Sequence, residues 1–270
     1  MSKFIRTNFN LKTLTDNSYK AIDEGAYDSE EYGFNGHNSI NIKKTILSCP
    51  HAPLIIEIKF SSPSRGRIIN EVNVIELASI IVRSGASGLS VLTQPYLFNG
   101  SINYLAMIRQ KVNVPLLMKD ITVSEIQIDA AKRIGADCVL LIKTIFDQDL
   151  AEGSIEKFAE YAYKKGLQVI IEVHSEREFE EVLKFKKQQT NLIGINNRDL
   201  NNLITDVYTT QRLLRKHDKG KNIIISESGI SQPKEIQSLK KSGADAFLIG
   251  TSVMESHDIV SKIRELYLSF

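Results

Sequence analysis

Residues 134–142 read IGADCVLLI, a glycine followed by a small acidic turn and an unbroken apolar run. SGASGLSVL at 84–92 and SGADAFLIG at 242–250 repeat this grammar. Each places Gly where a helix would end, because glycine enters the left-handed conformation at little cost. Each then gives a strand that is apolar on both faces, as strands of a helix-covered parallel sheet are. Repeated βα units of this kind make parallel strands joined by crossover helices. Working outward, strands are expected at 54–59, 88–93, 114–119, 138–143, 168–173, 192–196, 222–227 and 246–250. Helix-period stretches lie between them, for example at 72–85, 124–135 and 232–243. Ser124 and Glu125 open the second of these, and Gly135 and Gly243 close the second and third. Strands so bounded predict an α/β fold, a closed (β/α)8 barrel. An open doubly wound sheet is the alternative. It usually has fewer strands, and no GxGxxG follows the first one here.

The expected organisation is an N-terminal extension, 1–53, and one barrel domain, 54–270. The extension holds helix-like stretches at 10–24 and 39–48, and between them GAYDSEEYGFNGHN reads as a loop. The 270 residues are 42% hydrophobic and 24% charged, with a net charge of +2, which fits an ordinary globular protein. No Lys/Arg stripe is present, so a nucleic-acid partner is not expected. No run of 18 apolar residues occurs, and MSKFIRTNFNLK lacks a signal-peptide core, so no membrane partner is expected either. Cys49 and Cys138 form no CxxC and read as free thiols of a cytoplasmic protein. His37, His51, His174, His217 and His257 are scattered, so no metal is expected.

In such barrels chemistry belongs to the C-terminal ends of the strands and the loops after them. The first strand, in IIEIKFSSPSRG (55–66), carries Glu57 and Lys59 two residues apart, on one face of an otherwise apolar segment. Burying charge costs several kcal/mol unless the charges are paired. At the other strand ends lie Lys119 and Asp120, then Glu172 and His174, then Asn196 and Arg198, and finally Glu227 and Ser228. A lone Lys or Glu at a strand end often only reaches water, but several converging on one mouth point to function. His174 shares the face of Glu172 further out, where a supporting role or simple exposure fits as well as catalysis. SESGIS (226–231) and LIGTSV (248–253) each set Gly beside a small hydroxyl residue where a helix is expected to begin, which suits phosphate. These features imply acid–base chemistry on a small anionic phosphorylated substrate without a cofactor. They do not name the reaction.

EIKFSSPSRG, SVLTQPYLFNGS (90–101), VPLLMKD, IIEVH, IGINNRDL and SESGI with LIGTSVM together resemble, in order, the motifs of the indole-3-glycerol phosphate synthases of tryptophan biosynthesis. The resemblance covers about 54–268. It implies a carboxy-lyase that closes the indole ring of 1-(2-carboxyphenylamino)-1-deoxyribulose 5-phosphate with loss of carbon dioxide and water, without cofactor. By resemblance, Lys119 is the acid at the ribulose carbonyl, with Lys59 the other candidate, and Glu172 is the base of the dehydration. Glu57 orients the lysines, and Asn196 and Ser228 complete the catalytic group. Ser62, Phe98, Arg198 and Glu227 match substrate contacts, with Phe98 an apolar wall. Gly229, Gly250 and Thr251 join Ser228 in a phosphate cradle. A monomer, a weak homodimer and association with other enzymes of the pathway all stay open. A binding subunit of a pathway complex and the neighbouring phosphosugar isomerase are the competing readings. The chain departs from the family at Ile121, where Phe is frequent, and at Phe60, where a basic residue is frequent; alternation turns Phe60 away from the mouth. Residues 1–40 show no clear match to the family's N-terminal helix.

Overall fold

The structure is a computed structural model that describes residues 10–28, 37–59, 61–62, 66–67, 73–185, 192–200 and 203–270. Its strands are β1 (Leu54–Ile58), β2 (Gly88–Leu92), β3 (Leu116–Lys119), β4 (Cys138–Ile142), β5 (Gln168–Val173), β6 (Leu192–Asn196), β7 (Ile223–Glu227) and β8 (Ala246–Ile249). Each pairs in parallel with its sequence neighbours, and β8 pairs with β1 to close the barrel. The predicted strands thus appear within a few residues of their expected bounds.

Apolar burial explains the choice. Ile55, Ile56 and Ile58 are buried, as are Leu140, Leu141 and Ile142, and each such side chain contributes roughly 1.5–3 kcal/mol when fully buried. The mouth is a matter of register: Asn196 stands opposite Glu227, Glu227 opposite Leu248, and Glu172 opposite Ile142. Strand alternation then sends these carboxylates inward.

The helices are α1 (Leu11–Asp23), α2 (Ile42–Ser48), α3 (Val74–Arg83), α4 (Pro95–Phe98), α5 (Ile102–Arg109), α6 (Glu125–Arg133), α7 (Lys143–Asp147), α8 (Ile155–Lys164), α9 (Glu176–Leu183), α10 (Tyr208–Lys216), α11 (Pro233–Lys241), α12 (Thr251–Met254) and α13 (Ile259–Tyr267). Ser124 caps α6 together with Gln127, and Ser175 caps α9 together with Glu178, each as a reciprocal capping box. Gly135 and Gly243 end α6 and α11 with positive φ, as expected. Asn10 and Asn41 cap α1 and α2, so both helices read in the extension are present.

The extension is tied to both ends of the barrel. Below, where β4 begins, buried Asp137 accepts from the Ile40 N–H and from Arg109 and lies 2.8 Å from His37 Nε2. Above, Tyr27 bonds Asp120, just beyond β3. Phe60 and the tip of the segment after it lie outside the described residues. Ser61–Ser62 pairs antiparallel with Gly66–Arg67. Among the described residues no helix is long and apolar enough to cross a membrane.

Candidate active site

At the C-terminal end of the barrel lies a cavity of about 440 Å³, a usual size for a small-molecule site. Every site residue expected from the sequence lines it except Ser62, whose side chain lies outside the described residues.

Two ion pairs organise its floor. Lys59 Nζ donates to Glu57 Oε1 at 2.6 Å, and both side chains are about nine-tenths buried. Lys119 Nζ donates to Glu172 Oε2 and lies 3.4 Å from Glu227 Oε2. One cation therefore stands between two buried carboxyls. Burial opposes ionisation of both, and only one can take full advantage of Lys119. Glu172 does so. Burial would raise its pKa, but Lys119 and His174 outweigh that and hold the carboxyl well below its ordinary range. Glu227 goes the other way, raised chiefly by burial and also by Glu172 and Glu57, against the opposing pull of Lys119. For Lys119, burial favours the neutral amine, but Glu172, Glu227 and Glu57 together prevail and raise its pKa. Burial would also raise Glu57, and Lys59, Lys119 and Arg198 bring it below its ordinary value. Arg198, Asp120 and Glu255 bring further charges of both signs to the cavity wall.

His174 answers the question its spacing left open. Its side chain is 8% exposed, and Nε2 lies 3.1 Å from Glu172 Oε1 without the angle of a good hydrogen bond. The α9 capping box holds it, because Glu178 Oε2 accepts from the His174 and Ser175 N–H groups. Phe98, Leu92 and Ile121 form an apolar side of the cavity.

Of the two turns expected to take phosphate, one is corrected. The helix after β7 begins at Pro233, so SESGIS is a free-standing turn rather than a helix start. Its Ser228 and Gly229 both have positive φ, 67° and 83°. Helix α12 starts at Thr251 as expected, and Gly250 leaves room for the Glu57–Lys59 pair. A Cβ there would lie 2.8 Å from Glu57 Oε1 and 3.0 Å from Lys59 Nζ. Displacing a catalytic group by about 1 Å can cost 100-fold, so Gly250→Ala is expected to lower kcat/KM by at least about tenfold. Steady-state kinetics beside an unchanged urea midpoint would register it.

Sequence reasoning missed three things. Leu14 of α1 reaches the cavity. His217 is not isolated, since it lies with Glu176 and Glu180, all ligand atoms within 4.8 Å, in a cluster that also engages Lys216; none of these lines the cavity. The third is the burial of Asp120, noted at its strand end from the sequence but here 3% exposed beside Lys119. Its carboxylate accepts from Thr93, Tyr27, the Ile121 N–H and Gln127. These partners are neutral. Burial therefore pushes its pKa up to about 6, and the hydrogen bonds offset this only in part. A folded value above the unfolded one favours folding below pH ~4, and that benefit is lost as pH rises through about 6. Relative to Asp120→Asn, the chain should lose about 3 kcal/mol over that interval. Urea midpoints of both proteins at pH 4 and 7 measure it, and a constant difference would contradict the assignment.

A sequence model of indole-3-glycerol phosphate synthase matches residues 35–266. The chain belongs to the indole-3-glycerol phosphate synthase family. It is 39% identical over 261 residues to the indole-3-glycerol phosphate synthase of Methanocaldococcus jannaschii, covering 95% of this chain and 92% of that one. It is 40% identical over 216 residues to that of Oceanobacillus iheyensis, with 79% of each chain covered. With that of Aquifex aeolicus the identity is 39% over 227 residues, covering 84% and 85%. Similarity to indole-3-glycerol phosphate synthases thus begins earlier than residue 54, and the extension that supplies Leu14 and Tyr27 lies largely within the Methanocaldococcus match.

Proposed function

We propose that this mouth converts 1-(2-carboxyphenylamino)-1-deoxyribulose 5-phosphate into indole-3-glycerol phosphate, as a carboxy-lyase of tryptophan biosynthesis in the cytoplasm. The observation that carries the reading is Lys119, charged and buried between Glu172 and Glu227, in the same cavity as the Glu57–Lys59 pair. Ring closure bonds the carboxyl-bearing aryl carbon to the ribulose carbonyl carbon, and the carbonyl oxygen becomes an alkoxide. Lys119 stabilises and protonates that oxygen, as a fixed cation in a largely dry cavity does best. Loss of carbon dioxide leaves its electron pair to restore the aromatic ring. Dehydration then expels the new hydroxyl as water, with Lys59 the acid at hand, while Glu172 takes the proton from the carbon next to nitrogen.

The Lys119–Glu172 contact links the steps. Once Lys119 has given up its proton, Glu172 loses the cation that held its carboxyl down and becomes a stronger base. Arg198 and Asn196 face the anionic substrate, Phe98 and its apolar neighbours take the aryl ring, and Ser228, Gly229, Gly250 and Thr251 receive the phosphate. Purified chain given the substrate should produce indole fluorescence. Folded protein that yields none above background would overturn the proposal, and a stable partner captured by an inactive chain would favour a binding subunit instead.

A further inference from the structure

Asn197 sits between catalytic Asn196 and Arg198 but turns away from the cavity and is 3% exposed. Every hydrogen-bonding position of its amide is used. Nδ2 donates to Ser226 Oγ at 3.2 Å and to the Ser228 carbonyl at 3.0 Å. Oδ1 accepts from the Thr210 N–H at 3.1 Å and from Thr210 Oγ1 at 2.8 Å. Thr210 and Ser226, both fully buried, close the network with a 2.8 Å contact between their hydroxyls. The Asn197 backbone N–H in turn donates to the Glu227 carbonyl at 2.9 Å. One residue thus holds two successive carbonyls, those of Glu227 and Ser228.

In a trans peptide the C=O and the following N–H point in opposite directions. Fixing these two carbonyls on Asn197 therefore directs the Ser228 and Gly229 N–H groups away from it, on the side where both residues line the cavity. Ser228 also needs the anchor for its own conformation. Its φ of 67° is left-handed, unfavourable for a residue with a side chain and held only when the surroundings over-determine it. Position 229 admits no side chain, since a Cβ would lie 2.7 Å from Thr205 Cγ2.

We infer that Asn197 is a positioning residue for phosphate recognition: it sets the left-handed Ser228–Gly229 turn so that two backbone N–H groups face the phosphate. This rests on the phosphate site proposed above, and is tested apart from turnover by calorimetric titration with inorganic phosphate. Asn197→Asp keeps the shape but replaces the two donors with an acceptor facing the Ser228 carbonyl. It should raise the Kd for phosphate and the KM for the phosphorylated substrate about tenfold, with kcat within about threefold of the parent. In a Ser228→Gly background, where the turn needs no anchor, the same substitution should cost less than about threefold in phosphate affinity. An equal penalty in both backgrounds, or an unchanged phosphate Kd in folded Asn197→Asp, would overturn the inference. If Asn197→Asp does not fold, Asn197→Ser takes its place in the same comparison. Wild-type protein that binds phosphate but does not turn over would sink the proposed reaction and leave this inference standing.

Discussion

Lys119→Ala is expected to lower kcat by at least about 100-fold, the usual scale for a positioned acid. The residue is the only cation placed against both Glu172 and Glu227 by the ion pairs of the described residues. Its removal takes away the proposed proton donor and also leaves two buried carboxyls facing one another. One of them must then bind a proton, because like charges in a buried site cannot both ionise cheaply. The proposed base of the later step is thus weakened or lost together with the proposed acid of the first. Removing one partner of a buried pair costs about 3–5 kcal/mol of stability, so urea midpoints must accompany the rates. Lys119→Met keeps the aliphatic stem and its packing. If Lys119→Met is folded and turns over near the wild-type rate, Lys119 is not the acid.

Glu172→Gln should lower kcat by a similar factor, at least about 100-fold. The amide keeps a contact to Lys119 but cannot take a proton. The sign of the pH dependence follows from the neighbours of Glu172. Lys119 and His174 hold its carboxyl well below the ordinary range despite burial. Its basic form is therefore present throughout pH 5–8, and no loss of kcat in that interval should trace to protonation of Glu172. A Glu172→Gln enzyme with near-normal turnover would remove the base assignment. A variant that accumulates a decarboxylated, still hydrated intermediate would fix the step at which Glu172 acts.

The barrel was legible because its strands are apolar on both faces and its helices carry capping residues, both local signals. The inward lysines and glutamates were legible for the opposite reason, being charges in segments that otherwise bury everything. Glu57 and Lys59 needed only the two-residue period of a strand. Asp120 was not legible as a buried centre, since its partners Thr93, Tyr27 and Gln127 come from three separate parts of the chain. Asn197 was hidden similarly. It stands in a motif whose flanking residues line the cavity, and only the meeting of Thr210, Ser226 and the Ser228 carbonyl around it reveals a role. The helix expected at 232–243 was legible, with Pro233 fit for the first helical position; only SESGIS misled as a helix start, because Gly-Ile-Ser after a strand reads as a βα turn, while α11 begins four residues past Gly229.

The two ties of the N-terminal segment bear on the order in which the chain matures at the ribosome. Tyr27 meets Asp120 across 93 positions, and Ile40 meets Asp137 across 97. This segment must therefore wait for about a third of the chain before these two ties can form, and long-range closure of this kind is slow. Until then α1 is an amphipathic helix whose main docking surface is incomplete. A nascent chain halted before residue 120 should be readily cleaved by protease between residues 10 and 50, and one halted well past 137 should resist.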